Sequence, residues 1–525
     1  MIITEILIEN SKKYGDKTAL VELEPAIDNR REITWKQFNK QSNKTANALD
    51  SIGIKKSDKV IQLMTNSMEW LPIYFGILKS GALAVPVNFR FFAEKIKKCA
   101  QISEAKAIFF GEEFIERIEF IKEALDKTIK TYIFTGNKNL CPSFAVSYEK
   151  FITGATDEEP KQKTDINDDA SIYFTSGTTG LPKAVLLTHK NLESACITEK
   201  RHHYQTHEDN FLCIPPLYHT GAKMHWFGNF IAGAKSVLLK GVKPEWILKA
   251  LSEEKITIIW LLVPWAHDIL IALENKTLNL KDYDVKSLRL MHIGAQPVPP
   301  ALIKKWMQYF PNRQYDTDYG LTESTGPGCV HLGIENINKV GAIGLAGYKW
   351  KAKIVDDNNQ ETAANQVGEL LIKGPGVMRE YYKNPEETKK ALKNGWLYTG
   401  DLAKIDKDGF IWLVDRKKDL VITGGENIYP VEIENFLMTN NKIKDAAIIG
   451  IHDDRLGEIA AAIIEAKPNV KIDKREIINF CEKLPRYKRP RKIFFDKIPR
   501  NPTGKIEKPE LREKYAKYST VIKFK

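Results

Sequence analysis

Apolar and polar positions alternate along this chain in two rhythms. In "DKVIQLMTNSMEWLPIYFGILKSGALAVPVN" (58–88) an apolar run, a helix-period segment and a second apolar run succeed one another, which predicts strand, helix, strand. "AKAIFFG" (105–111) and "KTYIFTG" (130–136) read as further strands. Such alternation predicts an α/β fold around a mostly parallel sheet. The polar stretch "GATDEEPKQKTDINDD" (154–169) reads as a surface loop. The rhythm resumes at Ala170 and runs to about Asp415, with short β segments in "GELLIKGPGVMREYY" and "GFIWLVDRKKDLVI". From there "PVEIENFLMTN", "KDAAIIGIHD" and "REIINFCEKL" alternate once more, as a small α+β unit. There is no internal repeat and no low-complexity tract.

The 525 residues are too many for a single core, so several compact units are expected. The longest apolar run, "ITIIWLLVPW" (256–265), is interrupted by Pro264 and falls short of the roughly 20 residues a membrane helix needs, so no transmembrane segment is expected. The N-terminus has no signal-peptide pattern, and the six cysteines form no CxxC pair; both fit a reducing, cytoplasmic setting. The net charge of +12 comes from lysines scattered among 67 acidic residues. No basic stripe with interleaved aromatics occurs, which argues against nucleic acid and leaves anionic small ligands open.

Candidate chemistry concentrates in a few stretches. In "IYFTSGTTGLPKAVLLTH" (172–189) two apolar runs enclose Thr175, Ser176, Gly177, Thr178, Thr179, Gly180 and Lys183. Both flanks read as strands, so the segment caps a hairpin; it has neither Walker A spacing nor the helix that a dinucleotide fingerprint requires. Glycines let backbone N–H groups approach an anion, and the hydroxyls and Lys183 add donors and charge. A polyphosphate clamp and a plain Gly/Thr-rich turn are both compatible. "YGLTEST" (319–325) offers a ring, a hydroxyl and the Glu323 carboxylate, suited to a base, a phosphate and Mg²⁺; a lone glutamate is otherwise a surface residue. "YTGD" sets Asp401 beside a turn glycine, suited to a ribose diol. "DRKKD" (415–419) is a dense charge cluster, and "NPTGKIEK" places Lys505 on a Pro/Gly loop.

In this order and spacing these motifs resemble the adenylate-forming superfamily of acyl-CoA synthetases, peptide-synthetase adenylation domains and firefly luciferases, from about Thr34 to Lys508. The resemblance implies a large N-terminal domain (1–415) of packed α/β subdomains and a small, mobile C-terminal α+β domain (416–525) with a hinge at Lys418. It implies a two-step reaction: ATP and a carboxylic acid give an acyl adenylate and pyrophosphate, then a thiol takes the acyl group. By similarity, Thr175 to Lys183 hold the β- and γ-phosphates, Thr322 contacts the α-phosphate and Glu323 holds Mg²⁺. Gly294, Ala295 and Gln296, with Asp318, Tyr319 and Gly320, bind ATP, the "GAQP" segment and Tyr319 sandwiching adenine. Asp401 and Arg416 hold the ribose, and Lys505 bridges the carboxylate and the α-phosphate. Rotation about Lys418 then withdraws Lys505 and brings Gly424, Gly425 and Glu426 to the CoA side. His219, in "PPLYHTG", corresponds to a residue at the acyl entrance; a packed core histidine is the other reading. Met224 and Trp226 are assigned to the acyl pocket. Departures from the usual pattern are Ala184 and Glu380 in place of glycine and Gln296 in place of alanine; none removes a catalytic group.

Amino-acid-activating relatives carry an aspartate near the position of Tyr218 and His219, and this chain does not. The expectation is therefore an AMP-forming acid:CoA ligase using ATP, Mg²⁺ and CoA on an apolar acid, a fatty acid first. Aromatic or cyclic acids and the loading of a carrier protein are the alternatives. A homodimer is compatible.

Overall fold

The computed structural model describes all residues except 176–181, 295–297, 332–333, 501–504 and 519–525, and the side chains of Met224 and Ile334. The expected α/β character is present. An eight-stranded sheet has Lys59–Leu63 near its middle, between Leu83–Pro86 and Ala107–Gly111, and continues through Thr131–Thr135 to Val146–Ser147. These strands are parallel. Ala107 to Gly111 are all buried, as befits a strand covered on both faces, and this is why it reads as an unbroken apolar run. On the other side Asp169–Thr175 joins Leu83–Pro86 in parallel and then pairs antiparallel with Lys183–Thr188. The predicted hairpin is thus formed, with Thr175 opposite Lys183.

A second, seven-stranded sheet runs from Gln314–Asp316 through Leu290–Gly294 and Ile258–Leu262 to Asn29–Thr34, parallel except at its last pair. A five-stranded antiparallel sheet follows, containing Gly368–Lys373, Trp396–Ile405 and Ile411–Arg416. The last sheet is built on the long hairpin of Ile443–Asp453 and Gly457–Ala466. Its two hydrophobic clusters draw only on residues between Val421 and Tyr515, so this C-terminal portion has its own core. No described helix is long and apolar enough to cross a membrane.

Local sequence explains local structure. The helix Trp35–Ser51 starts at a T-x-x-Q capping box: the Gln37 amide N–H donates to Thr34 Oγ1 at 3.2 Å, and Gln37 Oε1 accepts from the Thr34 amide at 2.8 Å. Pro264, inside the longest apolar run, lies in the first turn of the helix Val263–Glu274, where its missing N–H costs nothing.

The polar stretch 154–169 forms no helix or strand before Asp169, where the strand Asp169–Thr175 begins, yet it is not merely a surface loop. Glu159 reaches the buried Lys79 ammonium at 2.7 Å, and Asn39 and Asn43 complete that ammonium's shell at 2.7 and 2.6 Å. A buried cation needs such partners, and a sequence-local reading cannot see them. Glu159→Ala leaves Lys79 one acceptor short and should cost about 1–3 kcal/mol. Urea denaturation checks this; an unchanged midpoint would contradict the role of the loop.

Candidate active site

Parallel strands deliver their carboxyl ends to one rim, where ligands bind in open α/β sheets. Thr175 and Gly294 both lie at such ends. The antiparallel sheet contributes Asp401, paired in register with Arg416 on the next strand. Between Thr175 and the Asp401–Arg416 pair lies a cleft of about 570 Å³ whose lining also includes Lys183, Glu323 and Lys418.

Its walls are connected by charge. The Tyr319 hydroxyl donates to Asp401 Oδ2 at 2.5 Å, and Arg416 Nε stands 3.0 Å from Asp401 Oδ1. Burial and the Asp401 carboxylate hold the Tyr319 phenol well above its usual range. Asp401 raises the Arg416 guanidinium further, against burial. On the opposite wall Lys183 Nζ lies 2.6 Å from Glu387 Oε2 and 4.8 Å from the Tyr381 ring centroid. The Tyr381 hydroxyl donates to Glu323 Oε1 at 2.9 Å.

The C-terminal portion adds Lys505. Burial, reinforced by Arg416 and also by Lys418, pushes its ammonium down to about 8, against the attraction of Asp401 and Glu323. Lys505 is therefore within reach of the charges of the cleft. His219 feels Lys505 as well: burial, then Lys505 and Lys223, push its imidazole down to about 3. His219 Nδ1 accepts from the Gly221 amide at 3.1 Å and so caps the helix Thr220–Ile231, which makes it both a capping residue and a neighbour of Lys505.

The structure thus gathers Thr175, Lys183, Glu323, Tyr319, Asp401, Arg416, Lys418 and Lys505. Thr322 opens the single turn Thr322–Ser324 that carries Glu323, and Gly320 lies just before it. Trp226 does not join them; it stacks on Phe230 at 4.9 Å in an aromatic core with Phe75. Asp318 faces His292 and His225, at 3.5 and 3.9 Å. Gly424 and Gly425 occupy a hairpin turn with φ of 58° and 86°, and Glu426 follows in the returning strand. Ser176, Gly177, Thr178, Thr179, Gly180, Ala295, Gln296 and the Met224 side chain lie outside the described residues. Tyr381 and Glu387 escaped the sequence reading, because a tyrosine on a two-residue strand and a glutamate in "NPEET" carry no local signal.

The sequence model described as "AMP-binding enzyme" matches residues 7–382, and "AMP-binding enzyme C-terminal domain" matches residues 432–505. The chain belongs to the AMP-binding enzyme family. Among the curated relatives of this AMP-binding enzyme is the long-chain-fatty-acid–CoA ligase FadD13 of Mycobacterium tuberculosis, 32% identical over 94% of this chain and 95% of its own. A 2-succinylbenzoate–CoA ligase of Bacillus cereus is 30% identical over 97% of this chain and 98% of its own. Among solved structures, the anthranilate CoA ligase AuaEII in complex with anthranoyl-AMP superposes with a TM-score of 0.88 at 26% identity, covering 98% of this chain and 97% of that one.

The placement of Lys505 has a direct check. Its ammonium is expected to titrate near 8 rather than 10.5. Between those values the unfolded chain holds the proton and the folded protein does not. This group therefore makes folding more favourable as pH rises through that window. Competitive acetylation with mass-spectrometric readout should give a midpoint near 8 for Lys505; a midpoint near 10.5 would place it outside the charged cleft.

Proposed function

We propose that this enzyme is an AMP-forming carboxylic acid:CoA ligase acting on an apolar acid, a fatty acid first. The observation that carries the reading is the convergence of Lys183, Arg416 and Lys505 on a cleft whose carboxylates, Asp401 and Glu323, are held by tyrosine hydroxyls. An anionic acid must meet an anionic α-phosphate, and cations fixed in advance at that point lower the barrier.

In this reading Thr175 and Lys183 hold the outer phosphates, and Lys183 exchanges Glu387 for them. Asp401 accepts from the ribose hydroxyls while Arg416 and Tyr319 keep it in place. Lys505 neutralises charge between the acid and the α-phosphate as the carboxylate oxygen attacks phosphorus and pyrophosphate leaves. Glu323 fits Mg²⁺: its carboxylate lines the cleft, and Tyr381 orients one oxygen. When bound there, Mg²⁺ would supply charge neutralisation on the phosphates. In the second step the CoA sulfur attacks the acyl carbonyl and AMP departs.

Division of the chain at 415/416 with a hinge at Lys418 belongs to the same proposal. It is supported by the position of Lys418 on the cleft, between the strand Ile411–Arg416 and the first strand of the C-terminal sheet, Val421–Thr423. The fatty-acid preference is supported by the resemblance to FadD13; an aromatic acid is favoured by the 2-succinylbenzoate and anthranilate ligases. Six free cysteines fit a reducing cytoplasm.

A panel of fatty and aromatic acids, read by AMP formation with CoA, tests the proposal. Acid-dependent AMP, highest with a fatty acid, is expected; no AMP with any acid would contradict the reaction. Lys505→Ala should slow adenylate formation at least about a hundredfold while sparing CoA attack on supplied acyl-AMP. The wild-type adenylation rate should fall as pH rises through about 8, where the ammonium is lost, and this limb should be absent in the variant. Equal loss in both half-reactions would contradict the role.

A further inference from the structure

Behind the cleft, a knot of ionisable groups is sealed in the core: Glu199, His203, His225, His292, Asp316 and Asp318. The first five are at most 4% exposed, and the Asp318 side chain is 7% exposed. They come from distant parts of the chain. Glu199 lies on the helix His189–His202, His203 follows that helix, and His225 lies on Thr220–Ile231. His292, Asp316 and Asp318 lie on strands of two sheets. Buried carboxylates require compensating charge. Among the described residues no lysine or arginine pairs with these three; their ion-pairing partners are imidazoles.

The orientation of the rings sorts their nitrogen atoms by role. His225 Nδ1 lies in hydrogen-bonding contact with Glu199 Oε2 at 3.1 Å. An ionised carboxylate only accepts, so Nδ1 carries the hydrogen, and in the tautomer with that one hydrogen Nε2 presents a lone pair. That lone pair faces Asp318 Oδ2 at 3.9 Å, and neither atom has a hydrogen-bond partner among the described residues. His292 Nε2 stands 3.5 Å from Asp318 Oδ1. A proton cannot bridge 3.9 Å, because hydrogen bonds close at about 3 Å. A metal ion can: zinc–nitrogen and zinc–oxygen bonds of about 2.0–2.2 Å set tetrahedral donors about 3.4 Å apart. The donor atoms of His225, His292 and Asp318 already lie within 4.8 Å of one another. A carboxylate behind a ligating imidazole, as Glu199 stands behind His225, is the usual outer partner of such a ligand.

We propose that His225, His292 and Asp318 hold one divalent transition-metal ion of the zinc class, with Glu199 as the positioning residue for His225. Two imidazoles and a carboxylate select such ions over Mg²⁺ or Ca²⁺, which prefer oxygen alone. Asp318 adjoins Tyr319, His292 is two residues before Gly294, and His225 lies on the helix capped by His219. The ion would therefore tie the cleft's Tyr319 wall to that helix. The inference is independent of the acid that the enzyme activates.

The test uses the full chain, equilibrated with micromolar zinc, passed through a desalting column and analysed by plasma mass spectrometry. About one zinc per chain is expected. His225→Gln and His292→Gln should each lose it, and Glu199→Gln should weaken binding by about 10- to 100-fold. X-ray absorption on the zinc-loaded wild type needs no variant and should show at least two imidazoles at the metal. A wild type that retains no zinc, a His225→Gln protein that keeps it, or a metal without imidazole scattering would each overturn the assignment and leave the knot as a network of protonated histidines and carboxylates.

Discussion

Everything at this cleft depends on one buried carboxylate. Asp401 is 4% exposed and lies between the Tyr319 hydroxyl and the Arg416 guanidinium, with Lys505 close enough to feel its charge. Out of water a carboxylate is tolerated only with such partners. Each partner comes from a different element: Tyr319 from the short strand Asp318–Tyr319 beyond the second sheet, Arg416 from the neighbouring strand, and Lys505 from the C-terminal portion. The electrostatic requirement of Asp401 and the meeting of the chain's two portions are thus one fact. Burial, with Arg416 and Lys418 nearby, keeps the Lys505 ammonium depressed despite two close carboxylates, and an anionic ligand that offsets those cations is the natural complement of the cleft.

The framework supplies rigidity where that charge balance needs it. Parallel strands buried on both faces fix the rim at Thr175 and Gly294, while the antiparallel sheet holds Asp401 and Arg416 in register. The C-terminal sheet is anchored near the junction by Asp415, which accepts from the Val431 amide at 2.9 Å, and by Arg512, 2.8 Å from Asp419. Those contacts flank Lys418, which lies in the short segment between the strands Ile411–Arg416 and Val421–Thr423.

Much of this was legible in the sequence, for identifiable reasons. The hairpin around 176–181 could be read because apolar flanks of strand length bound a turn-rich stretch. Alternation marked the parallel sheets, and the Gly424–Gly425 turn lies where left-handed backbone is required. Tertiary partnerships carried no such signal. Nothing local ties Glu159 to Lys79, Tyr381 to Glu323 or Glu387 to Lys183 across more than fifty residues. Asp318 sits beside a nucleotide-motif tyrosine yet turns toward histidines that are close only in space. Trp226 belongs to a helix beside the cleft but faces the core, and periodicity alone does not choose between those faces.

The central claim is that one cleft serves two half-reactions by exchanging the surface the C-terminal portion presents. Lys418→Pro tests it most directly, since proline fixes φ near −65° and restricts the preceding Lys417. Both half-reactions are measured on one preparation whose folding is checked by circular dichroism. The account predicts a single turnover of acid-dependent pyrophosphate release at near wild-type rate together with collapse of CoA thioester formation. Undiminished thioester formation by the proline variant would contradict it.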